Sequence, residues 1–286
     1  MFEFCRYIAI CRIIVPFMLF ASCTSHREFS ILTLNIKRDI QSDKHNGWRY
    51  RKDLMASFLK ENKPDIACFQ EVLKSQLDDL YLILGHYDYI GCGRDDGRDK
   101  GEFTPIFFDP RRYDHLDDGT LWLSSTPKIP GSLGWDARTP RIATWVVLYD
   151  KDLKKRIVVI NTHLDHMGKI ARRNSVKLIQ DSIINKFMMP TVVCGDFNCE
   201  SDSNPYKDMT SGDVLFKDAF LVAEKMVGVG YTFHGYGKSS KRKRIDYTFI
   251  SPDVIAKRIF IPEEIKIGNT FLSDHNPQMS ILSIKN

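Results

Sequence analysis

Residues 191–198, TVVCGDFN, constrain the fold of this chain more than any other stretch. Their β-branched and apolar residues predict a buried strand, which ends at Gly195 directly before Asp196 and Asn198. A strand end holds side chains on a rigid element, and a glycine allows the backbone to turn or to approach a ligand closely. Taken alone, Gly-Asp-Phe-Asn favours an ordinary turn. Whether it forms part of a site depends on how the other strands end.

The composition is that of one globular domain. The chain has 286 residues, 43% hydrophobic and 27% charged, which is enough apolar material for a large core. No Pro/Gly/Ser-rich linker, low-complexity tract or internal repeat marks a domain boundary. The net charge of +5 permits phosphate-bearing substrates without predicting a nucleic-acid-binding surface.

The N-terminal segment has the pattern of an export signal. Arg6 and Arg12 precede an apolar run at residues 13–20, and the small residues Ala21 and Ser22 lead to Cys23. The run is shorter than the roughly 20 residues of a transmembrane helix. We therefore predict a signal peptide over residues 1–22 with Cys23 lipidated, a plain signal peptide or a loosely inserted anchor being the alternatives. The working domain, over residues 27–286, would be exported to the bacterial periplasm, outer membrane or cell surface and held to the membrane by lipid.

The cysteines of the mature domain give no metal-binding pattern. Cys68, Cys92, Cys194 and Cys199 form no Cys-x-x-Cys pair and do not alternate with histidine at a zinc spacing. Cys68 and Cys194 lie in apolar runs and are predicted to be buried. A disulfide between Cys194 and Cys199 stays open, because sequence alone does not establish pairing.

Several predicted strands end in polar or ionisable side chains. Strands are predicted over residues 29–36, 66–69, 105–108, 141–148, 156–160, 245–250 and 278–284, and amphipathic helices over residues 48–61 and 172–187. The side chains at or near their ends are Asn35, Glu71, His163, Asp246, Asp274 and His275. Because α/β sheets build sites at strand ends, we expect these residues to join Asp196 and Asn198 in one site.

Five motifs occur in an order that resembles the endonuclease/exonuclease/phosphatase superfamily. They are Gln70-Glu71, Asn161-Thr162-His163, Gly195-Asp196-Phe197-Asn198, Arg244-Ile245-Asp246-Tyr247 and Ser273-Asp274-His275. The resemblance spans nearly the whole mature chain. It implies a four-layered α/β/β/α sandwich in which two mixed sheets pack face to face. The residue patterns alone predict only a mixed α/β domain.

The resemblance also implies a role for each matched residue. The metal region is assigned to Glu71, Asn35, Asp246 and His275, and catalysis to His163, Asp196, Asn198, Asp274 and His275. Within these sets, His163 would contact the phosphate and Asp274 would orient His275. Asp196 and Asn198 would position water and phosphate.

The residue types fit phosphoester hydrolysis on chemical grounds as well. Hard oxygen ligands without a cysteine cluster favour Mg²⁺ or Mn²⁺. Hydrolysis needs a cation, donors around the phosphoryl oxygens and a base for water, and the candidate residues supply all three. Asp196 and His275 are alternative bases, and arrangements with one or two metals stay open.

The motifs around Glu102, Trp122, residues 134–138 and Arg141 resemble a bacterial subgroup of exported members. On that basis we predict substrate contacts by Glu102, Trp122 and Arg141, and add His234 from the glycine-rich loop of residues 228–240. The sequence departs from the inositol-polyphosphate phosphatase pattern at Cys199-Glu200. It departs from the apurinic endonuclease pattern at His163, where that group commonly has a tyrosine.

The leading hypothesis is a Mg²⁺- or Mn²⁺-dependent hydrolase of phosphomonoesters or phosphodiesters, in which water attacks phosphorus in line. We expect a monomer that acts on a small phosphorylated substrate. A nonspecific nuclease of the same fold is an alternative, and the basic run at residues 241–244 would serve it. An alternative of another class is a non-catalytic surface-binding lipoprotein.

Overall fold

The predicted strands assemble into two large mixed sheets in a computed structural model that describes residues 28–211 and 215–285. The predicted signal peptide and Cys23 lie outside the described residues. The strands are β1 (Glu28–Asn35), β2 (Ile66–Gln70), β3 (Asp88–Ile90), β4 (Ile106–Phe108), β5 (Tyr113–Trp122), β6 (Ile142–Asp150), β7 (Lys155–His163), β8 (Thr191–Asp196), β9 (Lys217–Asp218), β10 (Lys225–Gly228), β11 (Asp246–Ile250), β12 (Val254–Ile261), β13 (Lys266–Ile267), β14 (Thr270–Phe271) and β15 (Gln278–Ile284).

The helices are α1 (Trp48–Asn62), α2 (Lys74–Leu84), α3 (Lys169–Ile179), α4 (Asn185–Phe187), α5 (Asn204–Ser211) and α6 (Ala219–Val222). A short 3₁₀ helix covers Gln41–Asn46, and a π-helical turn, Gln180–Ile184, joins α3 to α4. The predicted helix over residues 172–187 therefore exists as three consecutive helical segments.

The first sheet has the order β10-β12-β15-β1-β2-β4-β3, and the second has the order β5-β6-β7-β8-β11-β9. β13 and β14 form a separate two-stranded sheet. Strand β1 runs parallel to β2 and antiparallel to β15, and β7 runs parallel to β8 and antiparallel to β6. Both large sheets are therefore mixed, as the family resemblance implies.

Successive side chains along a strand point to opposite faces, so each large sheet packs against an apolar core on both of its faces. In β1, Phe29 and Ile31 face a core shared by both sheets, whereas Leu32 and Leu34 pack with residues of α1 and α2. A third core lies between the second sheet and the helices α3 and α5. The result is the predicted α/β/β/α sandwich, with one helical layer outside each sheet.

Buried polar side chains join the two sheets near one end of the sandwich. Gln70 of β2 donates to Asn161 of β7 at 2.7 Å, and Gln278 of β15 donates to Thr248 of β11 at 2.9 Å. A third bond, of 3.0 Å, links Thr104 to Thr144 of β6. Each of these polar groups is buried, so its hydrogen bond offsets the cost of desolvation. The end of the sandwich above this layer carries the polar strand ends.

Some elements were not predicted from the sequence. Strand β5 has the sequence YDHLDDGTLW and lies at the edge of its sheet, where acidic side chains face solvent and no apolar alternation develops. Helix α2 and strand β12 were also missed.

The predictions of buried Cys68 and Cys194 are confirmed, and Cys68, Cys92, Cys194 and Cys199 are all free thiols. Among the described residues, no helix is long and apolar enough to cross a membrane.

Arg51 of α1 is fully buried and serves four backbone carbonyl groups. Its Nε donates to Asn46 at 2.5 Å, Nη1 donates to Ile36 and Leu272, and Nη2 donates to Lys37. One side chain thereby connects α1 to the end of β1 and to the segment before β15. This connection fixes the backbone that follows Asn35.

We predict that Arg51→Met lowers the free energy of unfolding by about 3 kcal/mol or more, because it leaves buried carbonyl groups without donors. Urea denaturation of both proteins measures the difference. The exposed Arg49, two residues away, provides the control: Arg49→Met should change stability by less than about 0.5 kcal/mol. A loss below about 1 kcal/mol for Arg51→Met would contradict the structural role of this side chain.

Candidate active site

The registers of the second sheet place three of the predicted site residues side by side. His163 ends β7 opposite Asp196 at the end of the parallel strand β8. Asp246 begins β11 opposite the same Asp196, because β11 runs antiparallel to β8. On the first sheet, Asn35 ends β1 and Glu71 directly follows β2. The face-to-face packing of the sheets brings these two groups together.

The side-chain amide of Asn35 connects the two halves of the site. Its Nδ2 donates to Glu71 Oε1 at 3.1 Å and to Asp196 Oδ2 at 3.0 Å. Burial alone would raise the pKa of Glu71, but Lys37 and the Asn35 amide favour the ionised form and lower it. Glu71 is therefore ionised within the site.

The ring of His275 is paired with Asp246. Its Nδ1 lies 2.8 Å from Asp246 Oδ2, and its Nε2 lies 3.8 Å from Asp196 Oδ2. The sequence-based assignment gave the orienting role to Asp274, but the Oδ2 atom of Asp274 instead faces Lys37 Nζ at 3.5 Å. Asp274 lies at a bend between β14 and β15, so the neighbour of His275 in sequence is not the neighbour of its ring.

The surroundings of Asp196 and His275 shift the pKa of each. Burial, followed by repulsion from Asp246, raises the pKa of Asp196 despite the opposing effects of His275 and Asn35. Burial disfavours protonated His275, but attraction to Asp246 and Asp196 outweighs it and raises the pKa of His275. A carboxylate with a raised pKa is a better proton acceptor than an ordinary surface aspartate.

The same residues fit a divalent cation. One ligand atom from each of Asp196, Asp246 and His275 lies within 4.8 Å of the other two. Asp246 Oδ1 is buried and accepts no hydrogen bond, so it is an acceptor without a partner. Carboxylate oxygens are the ligands that hard divalent cations prefer. Glu71 supplies further carboxylate oxygens from the first sheet, whereas Asn35 turns its Nδ2 toward Glu71 and Asp196 and its Oδ1 accepts from the N–H of Lys37.

Asn198 contacts the ring of His163, which burial and neighbouring positive charges keep neutral. The residue has a left-handed backbone, with φ of 48°, and its N–H donates to Asp196 Oδ1 at 2.8 Å. Its Nδ2 donates at 3.0 Å to the Leu164 carbonyl, which fixes the orientation of the amide, and lies 3.0 Å from His163 Nε2. Burial and the positive charges of Arg141 and Arg94 lower the pKa of His163 well below its ordinary value. A direct contact of Asn198 with phosphate stays a prediction.

The predicted substrate residues Glu102 and Arg141 lie beside His163. Glu102 Oε2 is 2.5 Å from Arg94 Nη1 and 3.9 Å from His163 Nδ1, and its Oε1 is 3.2 Å from Arg38 Nη1. Arg141 donates to Asp165 at 3.3 Å. Three buried nitrogen atoms here have no hydrogen-bond partner: Arg94 Nε, Arg141 Nη1 and His163 Nδ1. This part of the site therefore offers nitrogen groups for hydrogen bonding.

Trp122 and His234 occupy supporting positions. Trp122 is buried and donates from Nε1 to the Arg94 carbonyl at 2.6 Å. His234 is also buried, and its Nδ1 accepts a hydrogen bond from the N–H of Gly237 at 3.1 Å. Burial lowers the pKa of His234 to about 4. Direct substrate contact by either side chain stays a prediction.

The basic run at residues 241–244 is largely neutralised. Arg242 pairs with Glu264 at 2.5 Å, Lys243 with Glu200 at 3.0 Å and Arg244 with Asp218 at 2.7 Å. Arg244 is also mostly buried and lies over the Tyr247 ring. The run therefore does not provide four free cations for a nucleic-acid backbone.

Sequence reasoning missed three side chains that shape the site: Lys37, Arg38 and Arg94. Arg94 lies in a Gly/Asp/Arg-rich loop, a composition typical of solvated segments, yet it is buried against Glu102. The only available signal for Lys37 and Arg38 was their position directly after the strand that carries Asn35.

A profile of the Endonuclease/Exonuclease/phosphatase family matches residues 32–275, a range that includes all of the candidate site residues. The chain belongs to this family. A solved endonuclease/exonuclease/phosphatase from Bacteroides vulgatus shares 40% identity and a TM-score of 0.87, with 90% of this chain and 99% of that chain covered. A mannosyl-6-phosphatase from Bacteroides thetaiotaomicron shares 32% identity and a TM-score of 0.84, with 90% and 100% covered.

A more distant relative is the CCR4-Not complex 3'-5'-exoribonuclease subunit Ccr4 of Mycosarcoma maydis. It is 24% identical over 212 residues, which cover 58% of this chain and 32% of that protein. Family membership supports hydrolysis of phosphate esters, in small molecules or in nucleic acids, and a divalent metal. The non-catalytic alternative is not favoured.

Asp165 connects the Arg141 side chain to the start of α3, and its ionisation should make the stability of the fold depend on pH. Its carboxylate accepts from the N–H groups of Met167 and Gly168 and from Arg141. Although burial opposes ionisation, the backbone N–H groups and Arg141 lower the pKa of Asp165 well below its ordinary value. A lowered native pKa stabilises the fold above the unfolded pKa of about 4, and this contribution is lost as the pH falls through the native value.

We predict that Asp165→Asn lowers the free energy of unfolding by about 2 kcal/mol at pH 7, and that the difference from the wild type shrinks below about pH 4. Urea denaturation at pH 7, 5 and 3 measures it. Asp117→Asn, at an exposed position on β5, should have little effect at any of these values. If the difference in free energy of unfolding between the two proteins stays constant down to pH 3, the charge of Asp165 does not contribute to stability.

Proposed function

We propose that the protein is a divalent-cation-dependent phosphatase or phosphodiesterase that acts on a compact phosphorylated substrate. The observation that carries this proposal is the position of Asp196, which lies within 4 Å of His163, His275 and the Asn35 amide. Asp196 would thereby act as a proton acceptor among groups that would bind a cation and a phosphoryl oxygen. Phosphoester hydrolysis requires that combination.

Each residue has a task in this proposal. Glu71 and Asp246 would hold the cation through their carboxylate oxygens, and Asn35 and His275 are the further predicted ligands. When bound, the cation would neutralise negative charge on the phosphoryl group. Asp196 would orient the attacking water and accept its proton, since its pKa is raised. His163 would stay neutral beside the phosphate, and its orientation would be fixed by Asn198.

The favoured substrate is a small phosphate ester such as a hexose phosphate. The unpartnered nitrogens of Arg94, Arg141 and His163 would suit a leaving group rich in hydroxyl oxygens. The 32% identity to a mannosyl-6-phosphatase, over its entire length, points in the same direction. The neutralised run at residues 241–244 gives less support to a long polyanionic substrate.

A substrate panel tests the proposal. Purified protein would be incubated with hexose 6-phosphates, nucleotides, phospholipid head groups and single-stranded RNA, each with Mg²⁺, with Mn²⁺ and with a chelator. We expect hydrolysis of at least one hexose phosphate, abolished by the chelator and restored by added cation. If no phosphoester of the panel is hydrolysed under any condition, the proposal fails.

We predict that Asp196→Asn and His275→Ala each reduce kcat by roughly 10²-fold or more on the preferred substrate, even at saturating cation. Glu71→Gln should weaken the response to Mg²⁺ and be partly offset by a higher concentration. Asp202→Asn, an exposed position shortly after the Asp196 motif, is the matched control and should retain normal kcat. Near-normal turnover of Asp196→Asn would contradict its role as the proton acceptor.

A nuclease is the second candidate, favoured by the match to an exoribonuclease subunit. Salt dependence separates the two candidates, because phosphate-backbone contacts are lost steeply as the salt concentration rises. Activity on oligonucleotides that falls by orders of magnitude between about 50 and 200 mM salt would favour the nuclease.

From the N-terminal pattern alone, we also propose that residues 1–22 direct export and that Cys23 carries lipid. Metabolic labelling with a fatty-acid analogue tests this, since Cys23→Ser should abolish incorporation.

The protein is proposed to act as a monomer.

A further inference from the structure

Lys37 follows β1 by two residues and places its ammonium group between two carboxylates of the site. The Nζ atom lies 3.7 Å from Glu71 Oε2 and 3.5 Å from Asp274 Oδ2. About a quarter of the lysine side chain is exposed, whereas the exposed fractions of the Glu71 and Asp274 side chains are 15% and 10%. The charges therefore meet in a sheltered place, where screening by solvent is weaker than on the open surface.

The backbone of Lys37 is held in this position by several contacts. Its φ of 60° lies in the left-handed region, which a lysine rarely adopts. The N–H of Lys37 donates to Asn35 Oδ1 at 3.0 Å. Its carbonyl accepts from Arg51 Nη2 at 2.9 Å and from Gln76 Nε2 at 3.0 Å. An uncommon conformation persists only where the surroundings enforce it, and such conformations cluster at functional sites.

The neighbouring arginines are engaged elsewhere. Arg38 directs its guanidinium to Glu102, and Arg51 directs its own to backbone carbonyls. Within residues 28–211 and 215–285, Lys37 is the only basic side chain with a nitrogen within 4.0 Å of the carboxylate of Glu71 or Asp274. Lys37 is thus the nearest cationic partner of both carboxylates in the part of the chain that the structure describes.

We propose that Lys37 is a built-in competitor for the divalent cation at Glu71. A cation that binds Glu71 must displace the ammonium group or bind against its positive charge, so Lys37 weakens cation affinity at this half of the site. The inference rests on the proposed function, because it takes Glu71 as a cation ligand. Lys37 is here a positioning residue that acts through Glu71.

A purely structural salt bridge would behave in the opposite way. If Lys37 served only to hold Glu71 and Asp274 in place, its removal would disorder the carboxylates and weaken cation binding or leave it unchanged. Competition requires the reverse result, which is tighter binding after the positive charge is removed. Damage to the fold does not readily produce such a gain.

The experiment compares Mn²⁺ binding to the full-length wild type, Lys37→Met, Lys37→Gln and the charge-retaining Lys37→Arg, by calorimetry and by the electron paramagnetic resonance of free Mn²⁺. We expect Lys37→Met and Lys37→Gln to lower the dissociation constant about tenfold, because a unit charge near the ligand is removed. Lys37→Arg should stay within about threefold of the wild type. Two neutral variants are used in case one fails to fold, and thermal unfolding checks both.

A second set of variants assigns the effect to Glu71. In the Glu71→Gln background, Lys37→Met should no longer tighten Mn²⁺ binding, because a double-mutant cycle isolates the coupling between the two side chains. This comparison also excludes an effect at Asp196, Asp246 and His275.

The outcomes separate this inference from the proposed function. If the wild type binds Mn²⁺ but neither neutral variant binds it more tightly, Lys37 is not a competitor, and the proposed hydrolase is unaffected. If no variant binds Mn²⁺ and hydrolysis is insensitive to chelator, both the competition and the cation-dependent mechanism are overturned. Tightening that persists in the Glu71→Gln background would also overturn the role assigned to Lys37.

Discussion

Hydrogen bonds between buried side chains of the two sheets determine where the site can form. Gln70 with Asn161, and Gln278 with Thr248, cross the space between the sheets directly below the polar strand ends. In the deeper part of the sandwich, the same space is filled by apolar side chains. Since each polar group is buried, a shift of one sheet against the other would break its bond and leave it unsatisfied. The relative position of Glu71 and Asp196 is therefore fixed by the layer beneath them.

Much of this arrangement could be predicted from the order of residue types along the chain. Apolar runs predicted β1, β2, β7, β8, β11 and β15, and the structure brings the polar residues at their ends close together. Helix α1 was also predicted within one residue at its C-terminus. The acidic edge strand β5 was not recognised, because its outer side chains face water and leave no apolar period.

The parts that could not be predicted depend on side-chain direction and backbone strain. The pairing of His275 with Asp246 arises from the way the segment before β15 meets β11, and nothing in the order Ser-Asp-His specifies it. The left-handed conformations of Lys37 and Glu71 likewise could not be predicted, because neither position is a glycine, the residue type that usually adopts them. Arg51 lies one turn before Met55 on the apolar face of α1. A charged residue is usually exposed, so the sequence does not predict its burial, which depends on its four carbonyl partners.

The free cysteines bear on how the domain can be made and handled. Cys68 and Cys194 lie in the shared core of the sheets, and Cys199 lies beneath the second sheet. Since these thiols are unpaired, the described fold draws its stability from packing and hydrogen bonds and needs no oxidant to form. The domain is thus compatible with production in a reducing cytoplasm, and reductant in the buffer would protect its partly exposed Cys92 without cost to the fold.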